Sequence, residues 1–275
     1  MVSFTSLFTA GLLASSALAV PHRMSVEKRS TGKRGAAYND VSAVTPLAET
    51  GQISWAYNWA YSPSFLSQSS LPSGIEFVPM LWGEKTLEGW ATTIETFVAG
   101  VTSTKYLLGP NEPDNREQAN MTATEAASFY RHHITPFAGK AKLISPAVTS
   151  SVKPNQGLQW FREFMHLCSN CDVHGLAVHW YGNSFPEFQS FIQKAVSTAA
   201  DYNLSEVWVT EFALSIDAAG VSESNESDAA KFVSQAVQFL DSQANVTRYS
   251  YFMAAPGFLV NTNNELNQVG GNYTA

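Results

Sequence analysis

Tyr106-Leu107-Leu108-Gly109-Pro110-Asn111-Glu112-Pro113 is a short apolar run that stops at Gly-Pro and delivers an amide and a carboxylate. The apolar triplet reads as a buried strand, and Gly109 and Pro110 end it. Asn111 and Glu112 therefore stand at a strand's C-terminal end, and Pro113 biases Glu112 away from the helical region. A carboxylate held there is costly to bury unless it has a partner or a task. Glu206-Val207-Trp208-Val209-Thr210-Glu211-Phe212 repeats the form, an apolar strand running into a glutamate.

Outward from these two stretches the chain alternates short apolar runs with longer amphipathic ones. Gly35 to Asn39, Ile53 to Trp59, Phe77 to Leu81, Lys142 to Val148, Leu176 to Tyr181 and Arg248 to Ala255 read as further strands. Helical spacing covers Thr86 to Val98, Leu158 to Leu167, Pro186 to about Asp201, and Asp228 to Gln243. Thr122 opens another helix through a capping box to Glu125, ending before Pro136. A polar tail follows the last strand. Strand–helix alternation predicts a parallel sheet, and eight such units in ~240 residues predict a compact α/β domain, a (β/α)8 TIM barrel. No Gly-x-Gly-x-x-Gly or Gly-Lys-Ser/Thr loop suggests a nucleotide fold.

Residues 1–34 read as processing signals. Residues 1–19 have the apolar core and Ala17-Leu18-Ala19 site of a signal peptide, and residues 20–34 read as a short propeptide. It carries two dibasic pairs, Lys28-Arg29 and Lys33-Arg34, which place the mature start near Ser30 or Gly35. The remaining domain, residues 35–275, holds 11 basic and 22 acidic residues, a formal charge of −11. That balance disfavours nucleic acid and anionic membrane, and suits a neutral partner. No apolar tail follows Tyr273, so no lipid anchor is expected. A secreted monomer is the expectation.

Cys168 and Cys171 are the only cysteines. In an oxidising compartment, Cys-Ser-Asn-Cys reads as a local disulfide rather than a redox or zinc motif. Five sequons, at Asn120, Asn203, Asn225, Asn245 and Asn272, are candidate glycan sites.

Active sites of (β/α)8 barrels lie at the C-terminal rim of the strands. The residues this chain is expected to bring there are Asn58, Trp59, Trp82, Asn111, Glu112, His179, Trp180, Tyr181, Glu211 and Tyr251. Two carboxylates with an amide, an imidazole and flat aromatic faces read as a carbohydrate cleft. Breaking a glycosidic bond needs one carboxyl group to protonate the leaving oxygen and a second to act on the anomeric carbon. His179 reads as a residue that orients or tunes the nucleophile. Trp55, Trp90, Trp160 and Trp208 read as core, with Trp208 facing the helix layer because it alternates away from Glu211. No metal ligand set and no cofactor motif stands out.

Gly-Pro-Asn-Glu-Pro-Asp (109–114), His-Trp-Tyr-Gly (179–182) and Trp-Val-Thr-Glu-Phe-Ala (208–213) together resemble glycoside hydrolase family 128, the alkali-sensitive-linkage-protein-like glycosyl hydrolases. The resemblance runs from about Gly35 to Ala255. It implies a retaining endo-β-1,3-glucanase acting on β-glucan without cofactor, with Glu112 as acid/base, Glu211 as nucleophile and Asn111 contacting the neighbouring sugar hydroxyl. The cysteine pair fits secreted fungal members. A hydrolase of another β-glycan, and a non-hydrolytic glucan-binding protein on the same scaffold, are the alternatives.

Overall fold

The computed structural model describes residues 32–65, 70–100 and 105–275. The expected signal peptide and Lys28-Arg29 lie outside the described residues. Among the described residues eight parallel strands run in sequence order: β1 (Gly35–Ala37), β2 (Trp55–Tyr57), β3 (Glu76–Phe77), β4 (Tyr106–Leu108), β5 (Lys142–Val148), β6 (Val173–Gly182), β7 (Glu206–Leu214) and β8 (Val246–Tyr249). They form a three-stranded sheet, β1-β2-β3, and a five-stranded sheet, β4 to β8, both paired in parallel. Isolated parallel bridges join the edges, Met80 to Leu108 on one side and Arg34 to Tyr249 and Tyr38 to Ala254 on the other. The result is one α/β domain with a strongly curled parallel sheet.

Helices cover the outside: α1 (Thr45–Glu49), α2 (Leu87–Ala99), α3 (Ala123–His133), α4 (Gly157–Leu167), α5 (Phe185–Ala200), α6 (Glu226–Ser242) and α7 (Gln268–Tyr273). The Thr122–Glu125 capping box is present, with the Glu125 amide donating to Thr122 Oγ1 at 3.2 Å and the Thr122 amide to Glu125 Oε2 at 2.8 Å. It satisfies two amides that have no partner within the helix. Among the described residues no helix separates β2 from β3, so the expected alternation breaks there. The polar tail is not a tail: it folds as α7, whose Tyr273 is fully buried and donates to Gly35 O at 2.8 Å. Among the described residues no helix is long and apolar enough to cross a membrane.

The core has two layers. The larger lies between sheet and helices, and includes Trp90, Trp160, Phe161, Phe164, Phe188 and Phe232. Full burial of such side chains stabilises the fold by roughly 1.5–3 kcal/mol each. The smaller layer lies inside the curl, with Trp55, Tyr57, Met80, Leu108, Ala177 and Trp208. At its base the Arg248 guanidinium lies 4.5 Å from the Tyr106 ring centre and 4.9 Å from that of Trp208, and pairs with Glu76 at 2.5 Å. Delocalised guanidinium charge suits this stacked position.

Trp208 therefore faces the interior, not the helices. Strand β7 carries one extra residue: Val178 pairs with Val209, but His179 pairs with Glu211. Thr210 is the inserted residue, its carbonyl taken at 2.8 Å by the Tyr57 hydroxyl. The bulge reverses side-chain parity above it, so Trp208 and Glu211, three positions apart, share a face.

Candidate active site

The C-terminal ends of the strands open into a cleft of about 1000 Å³ whose walls include Trp59, Trp82, Asn111, Glu112, Tyr181 and Glu211. Glu112 follows β4 in a turn tied to β5, its amide donating to Ala147 O at 2.8 Å and its carbonyl accepting from the Asn115 amide at 3.0 Å. Its φ is +42°, on the left-handed side rather than extended; Trp59, past the end of β2, has φ +57°. Non-glycine residues persist in that strained region only where neighbouring bonds over-determine them. Around Trp59 the Asn58 side chain does this, accepting from the Ala60 amide at 3.3 Å and donating to Ser62 O at 3.0 Å.

Each glutamate has its own donors. Glu112 accepts from Asn115 Nδ2 at 2.9 Å and lies 2.8 Å from His179 Nδ1. Glu211 accepts from Trp59 Nε1 at 2.8 Å and from the Tyr181 hydroxyl at 2.6 Å. His179, fully buried on β6, also holds Nδ1 3.4 Å from Glu211 Oε2. Donor atoms of Glu112, His179 and Glu211 all lie within 4.8 Å of one another. That set could also hold a divalent cation, but each carboxylate already accepts two hydrogen bonds, which suits proton chemistry at least as well.

Burial alone would raise Glu112, yet the His179 hydrogen bond and charge, with the Asn115 amide, hold it below the usual carboxylate range. Glu211 moves the other way: burial pushes it up, the Glu112 charge adds to this, and His179, Tyr181 and Trp59 only partly oppose. Burial would lower His179, but the facing carboxylates raise it above its ordinary value. Of the two carboxyls Glu112 is thus the readier to ionise.

Of the residues expected at the rim, Trp59, Trp82, Asn111, Glu112, Tyr181 and Glu211 line the cleft and His179 lies buried beneath the two glutamates. Trp180 does not. Strand parity turns it outward from His179 and Tyr181 into the helix layer, stacked on Phe232 at 5.6 Å. Tyr251 is likewise fully buried, its ring edge-on to Phe212 at 5.5 Å. Asn58 supports the Trp59 turn and is not a wall of the cleft. Cys168 and Cys171 form a disulfide next to α4.

Three further neighbours stand at positions that the sequence also marks, Asp114 and Asn115 close after Glu112 and Phe252 in the last strand run. Asn115 binds Glu112 directly, and its position three residues after it, in a turn, is the signal that pointed there. Asp114 is structural, accepting from the Thr149 and Gly157 amides at 3.2 and 2.7 Å and so fixing the wall from Thr149 to Gly157. Phe252 lines the cleft edge-on to both Trp59 and Tyr181.

Similar proteins share this fold. The sequence profile of the glycosyl hydrolase catalytic core matches residues 35–273. Alkali-sensitive linkage protein 1 of Schizosaccharomyces pombe is 33% identical over 247 residues, 86% of this chain and 42% of that protein, so the chain spans less than half of that curated relative. A curdlan-specific exo-β-1,3-glucanase of family 128 from Blastomyces gilchristii, solved with glucose, is 36% identical with a TM-score of 0.79, covering 90% of this chain and 100% of that one. An endo-β-1,3-glucanase of the same family from Amycolatopsis mediterranei, solved as a mutant with laminaripentaose, is 26% identical with a TM-score of 0.69, covering 89% of this chain and 99% of that one. The chain belongs to the glycosyl hydrolase catalytic core family, as a member of glycoside hydrolase family 128.

Proposed function

We propose that this protein is a secreted hydrolase of β-1,3-glucan that retains anomeric configuration, with Glu112 as acid/base and Glu211 as nucleophile. The observation that carries the reading is the spacing of the two carboxylates: oxygens within 4.8 Å leave no room for a water between them and the sugar. Retaining pairs stand ~5–5.5 Å apart and inverting pairs ~6.5–9.5 Å. Closure of the two sheets into one (β/α)8 barrel is part of the same proposal, supported by the bridges at both seams.

In the first step Glu211 attacks the anomeric carbon while Glu112 gives its proton to the departing oxygen. In the second, Glu112 takes a proton from water, and the resulting nucleophile releases the sugar from Glu211. The free site favours the opposite order, with Glu112 below and Glu211 above the ordinary carboxyl value. His179 Nδ1, in reach of both carboxylates, supports a simple exchange. Nδ1 hands its proton to Glu112 and takes one from Glu211, leaving Glu112 protonated, Glu211 ionised and the imidazole as it was.

The mode of attack in this proposal leans on the relatives. The exo-acting fungal enzyme is nearer in identity than the endo-acting bacterial one, 36% against 26%, and this favours end-wise release over the internal cutting implied by the resemblance.

The test is product analysis on linear β-1,3-glucan beside β-1,4- and β-1,6-glucans, with the anomer followed by NMR. Glucose from the β-1,3 polymer, formed first as the β-anomer, is expected. Mixed short oligosaccharides would restore endo action, and an α-anomer would remove the retaining mechanism. Binding without products would move the protein to the glucan-binding reading.

A further inference from the structure

The second dibasic pair, Lys33-Arg34, has the sequence of a processing site but is built into the fold. Lys33 Nζ donates to the carbonyls of Leu240, Asp241 and Gln243 at 3.3, 3.0 and 2.8 Å. These belong to the C-terminal end of α6, where carbonyls lack helical partners and a cation is favourable. Arg34, only 7% exposed, engages all three guanidinium nitrogens. Nε meets the Tyr249 hydroxyl at 2.9 Å, Nη2 meets Asp241 Oδ2 at 2.8 Å, and Nη1 meets the carbonyls of Tyr273 and Ala275 at 2.9 and 2.8 Å.

The main chain is equally committed. Lys33 O accepts from the Tyr249 amide at 2.8 Å and from Trp55 Nε1 at 2.9 Å, and Arg34 O accepts from the Ser54 amide at 3.0 Å. Gly35, on the far side of the bond that would be cut, lies flat on the Trp55 indole, where even a Cβ would come within 2.2 Å of the ring. A protease specific for basic pairs must draw both side chains and the flanking backbone out into its own cleft. Here that means breaking the seam between β1 and β8 and releasing the ends of α6 and α7. Susceptibility to cutting follows the burial and hydrogen bonding of the backbone concerned, not the local sequence.

We propose that Lys33-Arg34 is a permanent clasp that ties α6, β8 and the segment around Tyr273 to the start of β1. Maturation then stops upstream, after Arg29, and the protein begins at Ser30. The cleavage half of this rests on the secreted reading, whereas the clasp half does not.

Two measurements separate them. The full chain is expressed in a secretory host with a dibasic-specific protease, and the N-terminus of the protein in the medium is sequenced. A start at Ser30 is expected. A start at Gly35 overturns the proposal, a start at any other residue removes the cut after Arg29, and no protein in the medium removes the secreted reading on which that cut rests. Independently, purified full-length protein is treated with trypsin with and without urea. The bonds after Lys33 and Arg34 are expected to survive in the native protein and to be cut on unfolding; native cutting there overturns the clasp. R34K keeps the dibasic signature but cannot reproduce the guanidinium fork. It is expected to lower the unfolding midpoint by several degrees and to open the bond after residue 34. A variant as stable and as resistant as the parent would also overturn the clasp.

Discussion

His179 Nδ1 stands 2.8 Å from Glu112 Oε1, a buried contact between two elements far apart in sequence. It is the main reason Glu112 lies below the usual carboxylate range despite its burial. In His179→Gln, Glu112 loses that charge and its pKa rises, so the pH–rate limb that reports Glu112 moves upward. Turnover is expected to fall by about 10²- to 10⁴-fold, the range of a lost proton-transfer partner, with little change in KM. Steady-state kinetics across pH check this, and an unshifted profile with full turnover would remove His179 from the proton path.

Glu112→Gln and Glu211→Gln are expected to abolish most turnover while leaving the fold intact. Neither glutamate supports packing beyond the site, so circular dichroism and the thermal midpoint are expected to stay near the parent's. Normal product release by either variant would overturn its assignment.

The Tyr181 hydroxyl stabilises ionised Glu211 through its 2.6 Å hydrogen bond. Tyr181→Phe is expected to lower kcat about ten- to hundred-fold, the kinetic equivalent of a charge-assisted hydrogen bond of roughly 1.5–3 kcal/mol. Without that donor the Glu211 pKa rises further. Glu211 then ionises only at higher pH, and the acidic limb of the profile moves up. A downward or absent shift would contradict the role of this hydroxyl.

Asp217 is fully buried with neither carboxylate oxygen in a hydrogen bond. Burial raises its pKa above the ordinary 3.8, and the nearby Asn225 amide only partly opposes this. A carboxyl raised on folding costs stability once pH exceeds its unfolded value, because the fold disfavours the ionised form. Asp217→Asn is therefore expected to raise the thermal midpoint at neutral pH, with the gain fading below about pH 4. Melting curves across pH decide it, and equal midpoints for both proteins at neutral pH would count against the reading.

Glycan occupancy is expected to differ among the sequons. Asn120, Asn203 and Asn245 are exposed, whereas the half-buried Asn272 donates to Ala230 O at 2.9 Å and is followed by buried Tyr273 and Thr274. Glycopeptide mass spectrometry of protein from a glycosylating host is expected to find sugar on the first group and none on Asn272. A glycan on Asn272 would mean that α7 folds differently.

Much of the site was legible because strand ends are punctuated. Gly109-Pro110 and the apolar runs before Glu112 and Glu211 place both glutamates without any long-range information. Alternation alone would also have turned Trp180 outward, since His179 and Tyr181 point in. Trp208 could not be read that way, because the bulge at Thr210 depends on pairing with β6 and on the Tyr57 hydroxyl, over 150 residues away in sequence. The Gln268–Tyr273 helix was invisible for a related reason. Its Gly-Gly centre has poor helix propensity, and what holds it is Arg34 and Gly35 at the other end of the domain.

The extra residue in β7 divides that strand into two independent halves. Below Thr210 the side chains answer to the packing of the interior, and above it they answer to the chemistry of the cleft. Were Thr210 paired in the ladder rather than bulged, every residue type would stay in place and yet Glu211 would turn toward the helices. The orientation of Glu211 is thus set by how the strand pairs rather than by any residue's identity, and a change that forced Thr210 into the ladder would dismantle the cleft where many substitutions would be absorbed.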